Sequence, residues 1–158
     1  MKIRKNVVFW AVAIIGLIVD YVSKRLAVAL LMPISADLPI PLIPSVLNLT
    51  YTENTGAAFG LFKNHGEWLW ILSLAVSAAL IAMGLTTRFA NAWEEVGYGF
   101  ILSGALGNGI DRALSGAVVD FIQVFPVTGF PVFNFADIWI NIGFVCLVWV
   151  LLTESQRG

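Results

Sequence analysis

Long apolar runs without charged residues alternate along the chain with shorter polar stretches. The clearest run, from Trp68 to Thr87, has 20 residues and lies between Glu67 and Arg88. That length matches the roughly 20 residues with which a helix crosses about 30 Å of hydrocarbon. This run therefore predicts a transmembrane helix.

Three further runs are apolar but short. They contain 14 uncharged residues from 6 to 19, 15 from 96 to 110 and 16 from 138 to 153. Each can span a bilayer only if the acid beside it, Asp20, Asp111 or Asp137, lies in the membrane or close to its surface. Acids at that depth are costly, and they are therefore candidates for function.

The whole pattern predicts an all-α membrane protein with four transmembrane helices and a small extracytoplasmic β-rich surface segment. We expect a single integral membrane domain over residues 1–158. The predicted spans cover residues 7–31, 68–87, 96–115 and 135–153.

Two outward segments, 33–67 and 114–133, have a different pattern. In LNLTYT, Leu47, Leu49 and Tyr51 alternate with polar residues, which is typical of a strand with one apolar face. The second segment contains short β-like pieces broken by prolines and a glycine. Because an open strand edge cannot lie in lipid, we expect both segments on the membrane surface, over the helix ends.

The basic start of the chain indicates its orientation. Lys2, Arg4 and Lys5 place the amino terminus in the cytoplasm by the positive-inside rule, and four spans return the carboxyl terminus to the same side. The start could also be a secretory signal peptide with Ala27-Val28-Ala29 as its cleavage triplet. Retention is favoured, since the cleavage region would contain several charged residues.

Composition limits the function classes. Hydrophobic residues make up 59% of the chain and charged residues 12%, against about 25% charged residues in an average soluble domain, and the mean hydropathy is +0.87. The net charge of -1 provides no field of one sign that would recruit nucleic acid. A single cysteine, Cys146, and a single histidine, His65, exclude an internal disulfide and a two-histidine zinc site, and we expect neither a metal nor a cofactor.

A polar stripe marks one face of the third predicted helix, with residues at helical spacing. The stripe comprises Gly104, Asn108, Asp111, Arg112 and Ser115. Asp111 could simply form a buried ion pair that holds helices together. The guanidinium of Arg112 is suited to binding backbone carbonyls or carboxylates.

On the first predicted helix, Asp20 and Lys24 are four residues apart with the acid first, which is the favourable order for an ion pair. We prefer a structural role for this pair. Ser23 beside Lys24 suggests a serine–lysine protease, but adjacent helical residues point in different directions. The segment therefore forms no such dyad.

Asp120 and Asp137 are the most informative pair. They are 17 residues apart, and the turn signals between them let the chain fold back and bring both acids to the outer boundary. Two carboxylates about 3 Å apart do not readily both ionise, so one keeps a proton while the other can deprotonate water, as in aspartic proteases. Two separately paired acids remain the alternative, and the sequence leaves open which acid keeps the proton.

Two asparagines lie beside these features: Asn54 in NTGAAFG, after the strand, and Asn134, three residues before Asp137. Their amides both donate and accept hydrogen bonds and would hold a peptide backbone beside the acids. Turn asparagines also occur for local reasons. Gly56 and Gly60 would allow the close approach of a substrate chain, or would serve as hinges.

Five strings, in order along the chain, resemble the signature blocks of the bacterial lipoprotein signal peptidases, also called signal peptidase II. They are DYVSK from Asp20, NTGAAFG from Asn54, GALGNGIDR from Gly104, VVDF from Val118 and FNFAD from Phe133. Each string alone is a weak signal. Five in order between residues 20 and 137 are specific.

This resemblance implies an aspartyl endopeptidase of the bacterial plasma membrane, with its active site near the outer face. It implies cleavage of diacylglyceryl-modified prolipoproteins on the amino side of the lipidated cysteine, contact with membrane lipid, and inhibition by the cyclic peptide globomycin. Asp120 and Asp137 match the catalytic positions. The positions around substrate are Asn54, Asn108, Arg112 and Asn134, and the supporting positions are Asp20, Lys24, Asp111, Gly56 and Gly104.

Two other classes of membrane protein are alternatives for this sequence. A small transporter or channel would also place acids and an arginine between four helices. Transporters usually hold coupling charges near the midplane, often in repeated halves, whereas these acids gather toward one side and no repeat is visible. A rhomboid-type serine protease needs a partner histidine, and the sole histidine lies off the predicted helices. We therefore favour the peptidase.

Overall fold

The computed structural model describes residues 6–35, 38–56 and 66–154. The basic residues at the start, Gly60 and His65 lie outside these ranges, so the structure does not test the predictions made for them. In chain order the elements are α1 (Val7–Leu30), α2 (Met32–Ser35), β1 (Ile40–Ile43), β2 (Leu47–Asn54), α3 (Gly66–Thr86), α4 (Ala92–Ser115), β3 (Val118–Val124), a 3-10 helix (Pro126–Thr128) and α5 (Phe135–Glu154).

Three helical stretches of the described residues are long and apolar enough to cross a membrane. They are Val7–Ile34, Trp68–Thr86 and Phe135–Thr153, which correspond to the first, second and fourth predicted spans. α4 has 24 residues, but its glycines and polar side chains make it less apolar, and it does not qualify by composition. The mostly helical membrane fold is confirmed, whereas the third predicted span, residues 96–115 in α4, stays a prediction.

α4 lies at the centre of the bundle, where it packs against α1, α3 and α5. Glycines allow its backbone to approach α5 closely. A Cβ at Gly104 would overlap the carbonyl oxygen of Ala136, and a Cβ at Gly143 would lie 2.6 Å from the carbonyl oxygen of Gly97. Small residues at such contacts are typical of helices that associate within membranes.

Hydrogen bonds join the ends of the helices on the side of the bundle that lies far from the sheet. Asn6 Nδ2 donates to the carbonyl oxygens of Gly84 at 2.9 Å and Thr87 at 2.8 Å, and so satisfies free acceptors at the end of α3. Glu95 Oε2 accepts the N–H groups of Val8 at 2.9 Å and Phe9 at 3.2 Å, at the start of α1. These contacts fix the relative positions of α1, α3 and α4.

The three strands form one antiparallel sheet in the order β1-β2-β3. The alternating pattern in LNLTYT predicts a strand, and β2 confirms it. β1 was not predicted as a strand; it contains Pro41, and a proline is tolerated there because β1 lies at the edge of the sheet. The sheet packs through Phe121 against Ala27 and Leu31, at the end of α1.

Candidate active site

Asp120 and Asp137 reach the same place from different elements. Asp120 lies within β3. After the 3-10 helix the chain returns to this strand, where Ile122 and Phe133 exchange N–H to carbonyl bonds of 2.9 and 3.0 Å. The return places Asn134, and the start of α5 with Asp137, beside Asp120.

A reciprocal pair of hydrogen bonds forms the start of α5. Asn134 Oδ1 accepts the N–H of Asp137 at 3.1 Å, and Asp137 Oδ2 accepts the N–H of Asn134 at 3.2 Å. This is a capping box, in which residues three apart satisfy each other's free backbone donors. The helix amino terminus also favours a negative charge. The direction of the Asp137 carboxylate is therefore fixed by its own helix.

The amide of Asn134 links the two acids. Asn134 is fully buried, and its Nδ2 donates to Asp120 Oδ1 at 2.6 Å and to Asn108 Oδ1 at 3.1 Å. Asn108 Nδ2 in turn donates to Asp137 Oδ1 at 2.8 Å. The two acids thus belong to one hydrogen-bond network and are not separately paired. The amides of both asparagines, which were predicted to bind substrate, contact the acids themselves.

A buried charge cluster from α1 lies behind Asn108. Lys24 Nζ is 2.8 Å from Asp20 Oδ2, 2.8 Å from Asp111 Oδ2 and 2.9 Å from Asn108 Oδ1. The Asp111 contact is an ion pair without hydrogen-bond geometry. Asp20 Oδ1 accepts the N–H of Ala136 at 2.9 Å. The predicted Asp20–Lys24 pair is present, and it also holds the first turn of α5.

Gly107 belongs to this arrangement, although the sequence reasoning missed it. A Cβ at Gly107 would overlap Asp20 Oδ2, so a side chain there would displace the carboxylate that holds α5. Helical spacing is the signal that could have found it, because Gly107 follows Gly104 by three residues and so lies on the same face of α4.

Asn54, at the end of β2, contacts Asp120 from the opposite side. Asn54 Nδ2 donates to Asp120 Oδ2 at 2.9 Å, and its Oδ1 accepts the N–H of Gly56 at 2.9 Å. The carbonyl oxygen of Gly56 accepts a hydrogen bond from Arg112 Nη2 at 2.7 Å. Arg112 Nε is buried and has no hydrogen-bond partner among the described residues. The guanidinium therefore has one buried donor that no described residue satisfies.

A cavity of about 800 Å³ opens onto this network. Its apolar lining comes largely from α3, α4 and α5, and includes Leu72, Val76 and Ile140. The predicted site residues on its wall are Asn54, Asn108, Arg112, Asp120 and Asp137. Within the described residues, no group of three or more His, Cys, Asp or Glu side chains is arranged to hold a metal ion. The acids thus lie on the wall of a largely apolar space between helices.

The surroundings of Asp120 favour its neutral form. Burial raises the pKa of Asp120 from 3.8 to about 7, and the nearby charge of Asp137 acts in the same direction. The hydrogen bonds from Asn54 and Asn134 lower this pKa in part. Near neutral pH, a substantial fraction of Asp120 is therefore protonated.

Membrane helices, a cavity between them and two linked carboxylates on its wall define the chain as a membrane enzyme. The family model described as signal peptidase (SPase) II matches residues 12–153. A lipoprotein signal peptidase of a Cyanothece species is 50% identical over an alignment of 160 positions, which covers 98% of this chain and 90% of the relative. A lipoprotein signal peptidase of Microcystis aeruginosa is 51% identical over 154 residues, which cover 98% of this chain and 97% of the relative.

Solved structures agree with the sequence comparisons. A structure described as a bacterial membrane enzyme superposes with a TM-score of 0.83 at 31% identity, and the match covers 94% of this chain and 89% of the other. A second bacterial membrane enzyme gives a TM-score of 0.77 at 32% identity, with 90% of each chain covered. The chain belongs to the signal peptidase II family, and its resemblance to that family is confirmed.

Proposed function

We propose that the chain is an aspartyl endopeptidase that removes signal peptides from diacylglyceryl-modified prolipoproteins, cleaving on the amino side of the lipidated cysteine. The observation that carries this proposal is the linkage of Asp120 to Asp137 through Asn134, on the wall of an apolar cavity. The substrate class is supported by the relatives named lipoprotein signal peptidases.

In the proposed reaction, Asp137 is the base and Asp120 is the acid. The Asp137 carboxylate takes a proton from water, the water oxygen attacks the scissile carbonyl carbon, and Asp120 gives its proton to the carbonyl oxygen. The resulting diol then collapses. Asp137 returns a proton to the leaving nitrogen as the C–N bond breaks, and Asp120 regains a proton from a hydroxyl group. Both acids end in their starting states, without a covalent enzyme intermediate.

Substrate binding is proposed to use the groups that the protein leaves available. Arg112 Nε would donate to a peptide carbonyl near the dyad, and Asn54, which is only half-buried, would contact the backbone. The apolar lining between α3, α4 and α5 would receive the acyl chains of a cysteine that remains in the bilayer. Globomycin would compete for the same cavity, and we expect it to inhibit cleavage.

We also propose that α4 crosses the membrane and so brings the number of spans to four. Both termini would then lie in the cytoplasm, and the sheet would lie outside the plasma membrane. Three helices surround α4, so its polar face contacts protein rather than lipid. In a Cys146→Ser background, a membrane-impermeant maleimide should label Ser45→Cys, in the β1–β2 turn, on intact cells. It should not label Ala90→Cys, in the turn between α3 and α4. Both positions are exposed, and the reverse pattern would disprove the orientation.

The activity is tested with purified protein and a diacylglyceryl-modified prolipoprotein. Asp120→Asn and Asp137→Asn should each lower the cleavage rate by at least about 100-fold, the scale at which a general acid or base contributes. Gln123→Asn, on the same strand as Asp120, is the matched control and should cleave normally. Cleavage at the wild-type rate by either folded Asp variant would disprove the dyad. Equal cleavage of the unmodified prolipoprotein would disprove lipid recognition.

A further inference from the structure

The amide orientations in the site are fixed by groups that can only donate. An ammonium has no acceptor, so the Asn108 atom that lies 2.9 Å from Lys24 Nζ is Oδ1. Asn108 Nδ2 must then face Asp137 Oδ1, at 2.8 Å. In the same way, the backbone N–H of Asp137 binds Asn134 Oδ1, and this turns Asn134 Nδ2 toward Asp120. Each acid consequently receives an amide N–H.

Lys24 influences the site from outside the cavity. It is 4% exposed and is not part of the cavity wall. Its ammonium group contacts Asp20, Asp111 and Asn108, at distances of 2.8 to 2.9 Å. The other donor to Asn108 Oδ1 is Asn134 Nδ2, whose closer contact is with Asp120. Lys24 is therefore the main constraint on which end of the Asn108 amide faces the dyad.

We propose that Lys24 is a positioning residue for the reaction: it holds the Asn108 amide with its N–H toward Asp137, and so keeps Asp137 an ionised base. This inference rests on the proposed function, in which Asp137 deprotonates water. Without the ammonium, the Asn108 amide can turn by half a rotation and present its carbonyl to Asp137 Oδ1. Only a protonated Asp137 makes a hydrogen bond in that arrangement.

Charge alone offers a competing explanation for a shift in the acid limb of the pH–rate profile, because several charged groups lie in the cluster around the site. α1 contributes Asp20 and Lys24, α4 contributes Asp111 and Arg112, and β3 contributes Asp120. Removal of Lys24 alone would change both the charge and the amide orientation, and it would leave Asp20 buried without its cation. A useful variant must therefore remove the ammonium while keeping the net charge of the cluster.

The double variant Asp20→Asn/Lys24→Met meets this requirement, since it removes one negative and one positive charge. Its kcat/KM should be measured on the lipid-modified substrate between about pH 4.5 and 8, with Asp20→Asn and Lys24→Arg as controls. In the pH profile of kcat/KM, we expect the acid limb, where the rate falls at low pH, to move up by about one to two pH units in the double variant. This shift corresponds to the loss of one hydrogen bond to a charged group. Its rate on the alkaline side should change little.

The controls separate orientation from charge. Lys24→Arg keeps a side chain that can only donate, and it should retain the wild-type acid limb. Asp20→Asn leaves the ammonium in place and adds positive charge, so its acid limb should not move up. A purely structural role for Lys24 would lower the rate at every pH without moving the limb.

An unchanged acid limb in the double variant would overturn the proposal. If the double variant does not fold, Asn108→Asp provides the test, because it keeps an acceptor for Lys24 but presents a carboxylate oxygen to Asp137. Its acid limb must also move up, and an unmoved limb would again overturn the proposal. Failure of the proposed function would differ: the wild-type protein would not cleave, or Asp137→Asn would cleave with the wild-type profile.

Discussion

Replacement of Asp120 by asparagine should remove one contribution to the way in which stability depends on pH. The pKa of Asp120 rises from 3.8 to about 7 on folding, and its side chain is 2% exposed. Because the folded-state pKa is the higher one, the stability contributed by this group is fully present below pH 3.8 and is lost as pH rises through about 7. An asparagine has no such dependence.

The size of the pH-dependent change in the free energy of unfolding follows from the interval between pH 5 and the folded-state pKa of Asp120. Two pH units correspond to roughly 3 kcal/mol, at about 1.4 kcal/mol per unit. The variant also has a constant cost, because Asp120 accepts from both Asn54 and Asn134, and an asparagine oxygen replaces only one of the two acceptors. An unsatisfied buried donor costs about 1–3 kcal/mol. We expect the variant to be less stable than wild type at pH 5 and to recover roughly 3 kcal/mol of that deficit by pH 8, while the constant cost remains.

The assay is thermal unfolding in detergent, followed by the fluorescence of the six tryptophans. At about 2–4 °C per kcal/mol, the Tm difference between variant and wild type should move by about 6–12 °C in favour of the variant from pH 5 to pH 8. Titrating groups away from Asp120 are common to both proteins and cancel. Gln123→Ala, on the same strand, should show a difference that does not change with pH. A constant difference for Asp120→Asn would refute the reasoning.

Three further predictions concern other parts of the molecule. Gly104→Ala should lower stability by about 1–3 kcal/mol, because its methyl group would overlap the backbone of α5; an unchanged Tm would contradict the close packing. Asn54→Ala removes a hydrogen bond that lowers the pKa of Asp120, so the alkaline limb of the cleavage profile should move to higher pH, and a downward shift would count against Asp120 as the acid. Asn6→Ala should lower the Tm through lost contacts with the end of α3, while kcat/KM of the folded protein stays at the wild-type value; reduced kcat/KM would mean that this end of the bundle affects the site.

The apolar pattern predicted the helices and β2 well. Burial in lipid leaves long apolar runs in the sequence, and a half-buried sheet leaves an alternation of apolar and polar residues. The third helix was harder to read. α4 faces protein on several sides, so glycines and polar residues replace the apolar residues that mark a lipid-facing span. The period alone could not show whether such a helix crosses the membrane.

The candidate site could be predicted only as a set of residues. Turn signals between Asp120 and Asp137 indicated that the chain folds back, and the structure places the two acids in one network. The partners within that network depend on helix packing. Lys24 meets Asn108 across 84 residues of sequence, and Asp20 meets Ala136 across 116. No local pattern encodes contacts of this kind, because they arise where glycines let helices approach.

The capping box at the start of α5 connects the chemistry to the folding of that helix. In the proposed reaction, the proton from water would arrive on Asp137, weaken the hydrogen bond from the N–H of Asn134 and remove a favourable negative charge from the helix amino terminus. Each turnover would therefore loosen the first turn of α5 and then restore it. Because the helix amino terminus favours the ionised carboxylate, it would promote the loss of the proton from Asp137. The cap would then re-form before the next substrate binds.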